Sequence, residues 1–169
     1  MKTILLYLRS GVLNLWHFHS LSKRIAFGKN VNVEGNVRFG NKIFLDDNVE
    51  VRNRTNEEAT IGDFVSINRN TVIRGKVNIG ESVSIAPNCM IIGANHHFED
   101  TKKSIKEQGV EAKGIVIGPD VWIGANCCVL DGVTIGKGSV IGAGSIVTKS
   151  IPPMSIAVGN PCRVIKQRT

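Results

Sequence analysis

An all-β parallel solenoid is the fold class this sequence predicts, on three observations. Aliphatic residues recur every six positions, small or β-branched residues recur four positions after them, and the chain is rich in glycine but poor in aromatic rings. A period of six fits neither the 3.6 of an α-helix nor the alternation of a hairpin strand, and hexapeptide repeats are a signature of parallel β-helices.

Stepping by six from Ile25 gives Val31, Val37, Ile43, Val49, Thr55, Ile61, Ile67, Ile73, Ile79, Ile85 and Ile91, with Thr55 alone not aliphatic. The step resumes at Ile117 and continues through Ile123, Val129, Ile135, Ile141 and Val147. Seventeen hits in eighteen exceed chance in a chain where Ile, Val and Leu make up 47 of 169 residues. The second row, Val65, Thr71, Val77, Val83 and Cys89, then Val121, Cys127, Val133, Ser139 and Ser145, is small enough to face a thin core. Glycine follows the aliphatic residue at 62, 80, 118, 124, 136 and 142, where a tight bend needs a residue without a Cβ. One strand and one corner per six residues, three to a coil, predict about six coils, roughly 30 Å of stack at about 4.8 Å each. Pro152 and Pro153 offer no N–H and are expected to end the ladder.

A chain of 169 residues fits one domain, and 42% hydrophobic content excludes wholesale disorder. The net charge is +7, but Lys and Arg are scattered without a basic run interleaved with aromatics, so no nucleic-acid partner is expected. The surplus charge instead favours anionic ligands such as nucleotide phosphates. Cys89, Cys127, Cys128 and Cys162 form no CxxC pair and no spaced His/Cys set, which argues against zinc and against a disulfide framework. A reduced, cytoplasmic setting follows from that cysteine usage. Residues 1–24 carry Ile4, Leu5, Leu8, Val12, Leu15 and Trp16 at near-helical spacing, which predicts a short N-terminal helix packed on one end of the main domain. Lys2, Arg9, Lys23 and Arg24 beside that stripe leave peripheral membrane contact through residues 1–24 as the alternative. The apolar run from Ile4 to Leu8 is too short to span a bilayer and lacks a small-residue cleavage site.

Twenty-six residues separate Ile91 from Ile117, two more than a multiple of six, so a stretch of about residues 93–115 leaves the prism. It holds Asn95-His96-His97-Phe98, half the histidines of the chain, and long loops on rigid scaffolds commonly carry function. A neutral imidazole there can take a proton from an attacking hydroxyl, which an alcohol needs at neutral pH. Cys89 and Cys127 lie on packing positions, and no Ser or Cys nucleophile paired with His stands out, so direct transfer is favoured over a covalent enzyme intermediate.

Two groups of segments carry a family resemblance. Asn95 to Phe98, Gln108-Gly109 and Ile117-Gly118-Pro119-Asp120-Val121-Trp122-Ile123-Gly124-Ala125 resemble the active-site region of sugar O-acetyltransferases of the hexapeptide-repeat acyltransferase family. Gly142-Ala143-Gly144-Ser145-Ile146-Val147-Thr148-Lys149, Ile151-Pro152-Pro153 and Gly159-Asn160-Pro161-Cys162-Arg163-Val164-Ile165 resemble that family's coenzyme A end. The resemblance covers roughly residues 25–165, leaving a leader of residues 1–24 and a tail of 166–169. It implies a left-handed β-helix, acetyl-coenzyme A as co-substrate with no metal, and a homotrimer with sites between subunits. By the same resemblance His96 is the catalytic base, with His97 beside it on the acceptor side, and the backbone N–H of Ala125 receives the oxyanion. Asn68 resembles an acceptor-binding residue, although an Asn at that position serves equally to cap a coil corner. Trp122, Gly124, Ala125, Ala143, Thr148, Lys149 and Arg163 match the cofactor-binding positions, small residues admitting the pantetheine arm and the two cations meeting phosphate.

The short apolar leader resembles acetyltransferases of surface-polysaccharide synthesis, which makes a polysaccharide-precursor sugar the expected acceptor. An N-acetyltransferase on an amino sugar and a xenobiotic acetyltransferase are the alternatives within the family, and a non-catalytic β-helix scaffold is the alternative outside enzymes. Zinc carbonic-anhydrase chemistry on the same scaffold needs three converging histidines, and this chain has four, of which two precede the repeat and two are adjacent.

Overall fold

The computed structural model describes residues 24–169 and two short segments before them, Leu6–Leu8 and Gly11–Leu13. Residues 24–169 wind into a parallel β-helix with three faces, each a hydrogen-bonded sheet. The first face runs from Asn32–Gly35 to Ile146–Val147, the second from Val37–Phe39 to Thr134–Ile135, and the third from Ile25–Phe27 to Ser155–Val158. The third face stacks seven parallel strands, so the prism makes about seven turns where six were expected. The additional turn lies beyond the two prolines. Pro153 rounds a corner against Gly136, where a Cβ would come within 2.4 Å of the proline nitrogen, and Ser155–Val158 then resumes pairing with Val140 and Ile141. Pro153 stands where Pro119 stands two coils earlier, at a corner position that takes no part in the ladder, so proline passes through it without ending the stack. Arg163–Gln167 folds back antiparallel on Ser155–Val158 and closes that edge.

Along each face of the prism, two alternating residues per coil turn inward. On the third face Leu45, Ile67, Ile85, Ile123, Ile141 and Ala157 stack in register, and Val65, Val83, Val121, Ser139 and Ser155 stack two residues earlier, all buried. The six-residue count slides from one row to the other at Thr55. Val33 pairs with Val51, 18 residues on, but Val51 pairs with Ile73, 22 residues on, so residues 54–57 bulge out of that coil. A shift of four converts one inward row into the other, so the count lands on aliphatic residues on both sides and only Thr55 marks the break. Thr55 is half-buried in the bulge rather than inward. Asn53 holds the bulge: it is 1% exposed, donates to the carbonyls of Asn36 and Glu57, each at 2.8 Å, and accepts from the N–H and hydroxyl of Thr55 at 3.1 and 2.7 Å.

The glycines expected at bends serve close approach instead. None of the six at 62, 80, 118, 124, 136 and 142 has a positive φ; a Cβ on Gly124, for instance, would stand 2.6 Å from the nitrogen of Ala143 in the next coil. At the corner that follows the third face, the left-handed conformation falls to Asn30, Asn48, Asn70, Asn88 and Asn126, at φ 54 to 62°. Asparagine tolerates that region better than most residues. The first four also chain amide to amide at 3.0 to 3.1 Å, each coil handing a hydrogen bond to the next.

The leader differs from the expected helix. Leu6–Leu8 pairs antiparallel with Gly11–Leu13, because Gly11 costs a helix about 1 kcal/mol and Tyr7 and Val12 favour strands. The rest of the leader, and with it the expected membrane contact, lies outside the described residues.

Candidate active site

The loop is shorter than its sequence bounds of 93–115. Ile79 pairs with Ile117, 38 residues on, which is one coil plus 20 residues, and Ile115 is already back in the second face at 1% exposure. Gly93 and Gly114 form the neck. Asp131 fastens the returning side, accepting from the N–H groups of Lys113 at 3.0 Å and Gly114 at 2.7 Å; nothing in its sequence context marked it. Inside the loop Asn95–His96 pairs antiparallel with Val110–Glu111, and a single helical turn, Ile105–Gln108, starts at Ser104, whose N–H and hydroxyl both donate to Glu107. His96 is exposed, its N–H bound by the side chain of Asn95 at 3.0 Å, and no described residue pairs with its imidazole. His97 is half-buried, its N–H on the carbonyl of Gly109 at 3.1 Å and its Nδ1 4.0 Å from Glu99.

A second constellation occupies the corner between the third and first faces. Pro87, Ala125 and Ala143 succeed one another there in consecutive coils, and Trp122, 56% exposed, stands on the outer side of the third face just before the corner. Asn68 lies on the same corner two coils below Gly124, roughly 10 Å away at the strand spacing. Its side-chain nitrogen donates to the carbonyl of Ile85 at 2.8 Å, the corner-capping bond. Arg163 caps the column from the last hairpin, where Val158, its pairing partner, overlies Gly142; its guanidinium donates to the carbonyl of Cys162 at 2.9 Å.

The N–H groups of Ala125 and Ala143 find no acceptor among the described residues. Their peptide planes show why. The Gly124 carbonyl accepts from the thiol of Cys89 at 3.2 Å, and the Gly142 carbonyl accepts from Cys127 at 3.2 Å and Ser145 at 2.6 Å, all from the interior. In a trans peptide the C=O and N–H point opposite ways, so both amides face outward. Reading Cys89 and Cys127 as packing residues therefore missed half of what they do, since a thiol on an inward row looks the same in sequence whether or not it donates. Neighbouring Cys127 and burial hold the Cys89 thiol well above its ordinary pKa, so of the two thiols Cys89 is the one that keeps its proton, while Cys127 is drawn down to about 7.

One chain thus assembles Asn68, Trp122, Gly124, Ala125, Ala143 and Arg163 at one corner. His96, His97, Thr148 and Lys149 are not among them. Lys149 follows Asp131 by one coil, at the corner between the first and second faces from which the loop departs. The edges from which the two groups arise are separated by the breadth of the first face, about 15 Å for four or five strand residues.

Residues 114–149 match the family described as bacterial transferase hexapeptide, six repeats. A Mycobacterium tuberculosis protein named as a probable acetyltransferase is 35% identical over 158 residues, 89% of this chain and 52% of its own length, so the chain spans about half of that relative. The solved structure of a maltose O-acetyltransferase from Clostridium difficile is 36% identical, with 85% of this chain and 70% of that one covered and a TM-score of 0.59. A variant of an N-acyltransferase from Bacillus cereus, solved with dTDP-4-amino-4,6-dideoxyglucose and coenzyme A, superposes at a TM-score of 0.75 with 25% identity, covering 85% of this chain and 80% of that one. The six-residue period, the stacked parallel coils and these matches agree: the chain belongs to the hexapeptide-repeat transferase family.

Proposed function

We propose that the protein transfers an acetyl group from acetyl-coenzyme A to a sugar hydroxyl, with the precursor of a surface polysaccharide as acceptor. The observation that carries this reading is the corner column: two outward, unbonded amides in consecutive coils, bordered by Trp122 and Arg163. Small residues at 124, 125 and 143 leave room for a narrow thioester-bearing chain along the column, and Arg163 offers a fork to its phosphates. The N–H of Ala125 donates to the thioester oxygen as negative charge grows there, where a fixed donor contributes most. His96, with an accessible ring, takes the acceptor's hydroxyl proton as oxygen attacks the carbonyl, and the thiolate leaves.

In a single chain His96 and Ala125 flank opposite edges of the first face. The reading therefore includes a homotrimer, in which the loop of one subunit reaches the corner column of the next and Lys149 comes with it. A cytoplasmic location, where acetyl-coenzyme A is supplied, belongs to the same proposal.

Transfer to the amine of a nucleotide-linked amino sugar is the second reading, favoured by the likeness to the Bacillus cereus N-acyltransferase. Thiol release from acetyl-coenzyme A across a panel of free, nucleotide-linked and amino sugars identifies the acceptor, and neutral hydroxylamine, which cleaves an ester and spares an amide, separates the two products. In the same assay His96→Ala is expected to lower turnover roughly 10²- to 10⁴-fold with acetyl-coenzyme A affinity unchanged, while His97→Ala does much less. Full activity in both variants removes the loop from the mechanism.

A further inference from the structure

The inward row beneath the corner column changes character along the prism. It runs Thr71, Cys89, Cys127 and Ser145, four small polar residues, where the corresponding rows under the other corners are aliphatic apart from Ser139 and Ser155, of which Ser139 donates to the carbonyl of Pro152 at 2.8 Å. Three of these side chains reach up to a corner carbonyl of the next coil. Thr71 donates to Ala86 at 3.3 Å, Cys89 to Gly124 at 3.2 Å and Cys127 to Gly142 at 3.2 Å. The peptide that each grips presents its other end to the outside, and what stands there differs. After Ala86 comes Pro87, which has no N–H; after Gly124 and Gly142 come Ala125 and Ala143, which do.

We propose that Cys89 is a positioning residue for catalysis: its thiol hydrogen bond to the Gly124 carbonyl fixes the plane of the Gly124–Ala125 peptide and aims the Ala125 N–H at the developing oxyanion. At Ala143 the corresponding carbonyl, that of Gly142, is held by the Ser145 hydroxyl at 2.6 Å as well as by Cys127. Two physical effects act together. The bond removes the freedom of a corner peptide, flanked by glycine, to rotate its amide away from the site. It also polarises the peptide, since a carbonyl that accepts a hydrogen bond makes its own N–H a stronger donor. Valine at this position packs equally well, as the neighbouring rows show, but leaves the carbonyl unheld. The inference rests on the assignment of Ala125 as oxyanion donor, and the experiment separates the two.

Cys89→Val and Cys89→Thr are nearly isosteric and differ in one hydroxyl, and Thr71 already makes the required reach from the coil below. Cys89→Val is expected to lower kcat roughly 5- to 30-fold, a fraction of the 10²- to 10³-fold cost of deleting a whole oxyanion donor, with KM for acetyl-coenzyme A within about twofold. Cys89→Thr should retain wild-type kcat within about twofold, whichever of the two variants melts higher. The amide proton of Ala125 should shift in the nuclear magnetic resonance spectrum of the Val variant and not in that of the Thr variant. Ala125→Pro, whose backbone the corner accepts because Pro87 occupies the same place one coil earlier, tests the donor itself and should lose at least 10²-fold in kcat. Wild-type turnover in Ala125→Pro refutes the assignment of Ala125, whatever Cys89 does. An inactive Ala125→Pro together with an unshifted amide and full turnover in Cys89→Val refutes the role of Cys89 alone.

Discussion

Ile79 lies on the second face at 3% exposure, stacked between Ile61 and Ile117 of the adjoining coils. Aspartate at this position has no cation within the interior to pair with, so the folded protein must bury the carboxyl protonated. Holding it protonated at pH 7, against an unfolded pKa of about 3.9, costs about 4 kcal/mol at about 1.36 kcal/mol per unit. Losing the buried isoleucine adds about 2–3 kcal/mol. The sum, about 6–7 kcal/mol, is a large share of the 5–15 kcal/mol that typically holds a domain together. The sign of the pH dependence follows from the raised folded pKa: the charge-related deficit is absent below the unfolded pKa and grows by about 1.4 kcal/mol per pH unit above it. Urea unfolding of Ile79→Asp and Ile79→Ala at pH 4 to 7 measures both parts, because alanine keeps only a pH-independent loss of about 2–5 kcal/mol. An aspartate variant as stable as wild type, or a deficit that stays flat with pH, refutes the inward assignment of this row.

Asn53→Ala removes the side chain that secures residues 54–57 and should lower stability by about 1–3 kcal/mol, whereas Thr55→Val loses only the hydroxyl bond to Asn53 and should cost at most about 1 kcal/mol; equal effects in thermal melts would count against Asn53 as the residue that holds the bulge. Asp46 is held below its ordinary pKa of 3.8 chiefly by the N–H of Asp47, with Arg69 adding to it. Its ionised form therefore contributes stability above that value and loses it as the pH falls through the lower folded pKa. The advantage of wild type over Asp46→Asn should thus be present at pH 7 and disappear in strong acid, and a gap that widens on acidification would overturn this assignment. Lys149→Ala and Arg163→Ala should raise KM for acetyl-coenzyme A more than KM for the acceptor, most clearly at low salt; unchanged cofactor dependence in both removes these cations from the site.

The solenoid was legible because its physics is one-dimensional. A coil stacked on its own copy must present the same kind of side chain at the same place each turn, so Ile67, Ile85 and Ile123 announce the ladder without any knowledge of the third dimension. The ejected loop was legible for the same reason, as a break in that repetition between Ile91 and Ile117. The bulge at 54–57 was not, because four residues carry one inward row onto the other and the aliphatic count hides the slip. The seventh turn was not, because Ala157 and Ser155 are too small to register as a hydrophobic step although they fill their rows completely.

Chemistry-bearing residues divided along the same line. His96, Trp122, Lys149 and Arg163 were candidates because the segments that carry them resemble those of the family. Which of them share a corner depends on how many residues each coil spends between turns, and the bulge and the loop both change that number. Sequence by itself determined the repeat, the family and the identity of the groups able to donate, accept or attract phosphate. Only the tertiary structure decided that the Ala125 and Ala143 amides face outward and that the His96 loop springs from the other edge of the first face. Both depend on the orientation of peptide planes and the phase of the winding, and neither is a property of any residue type.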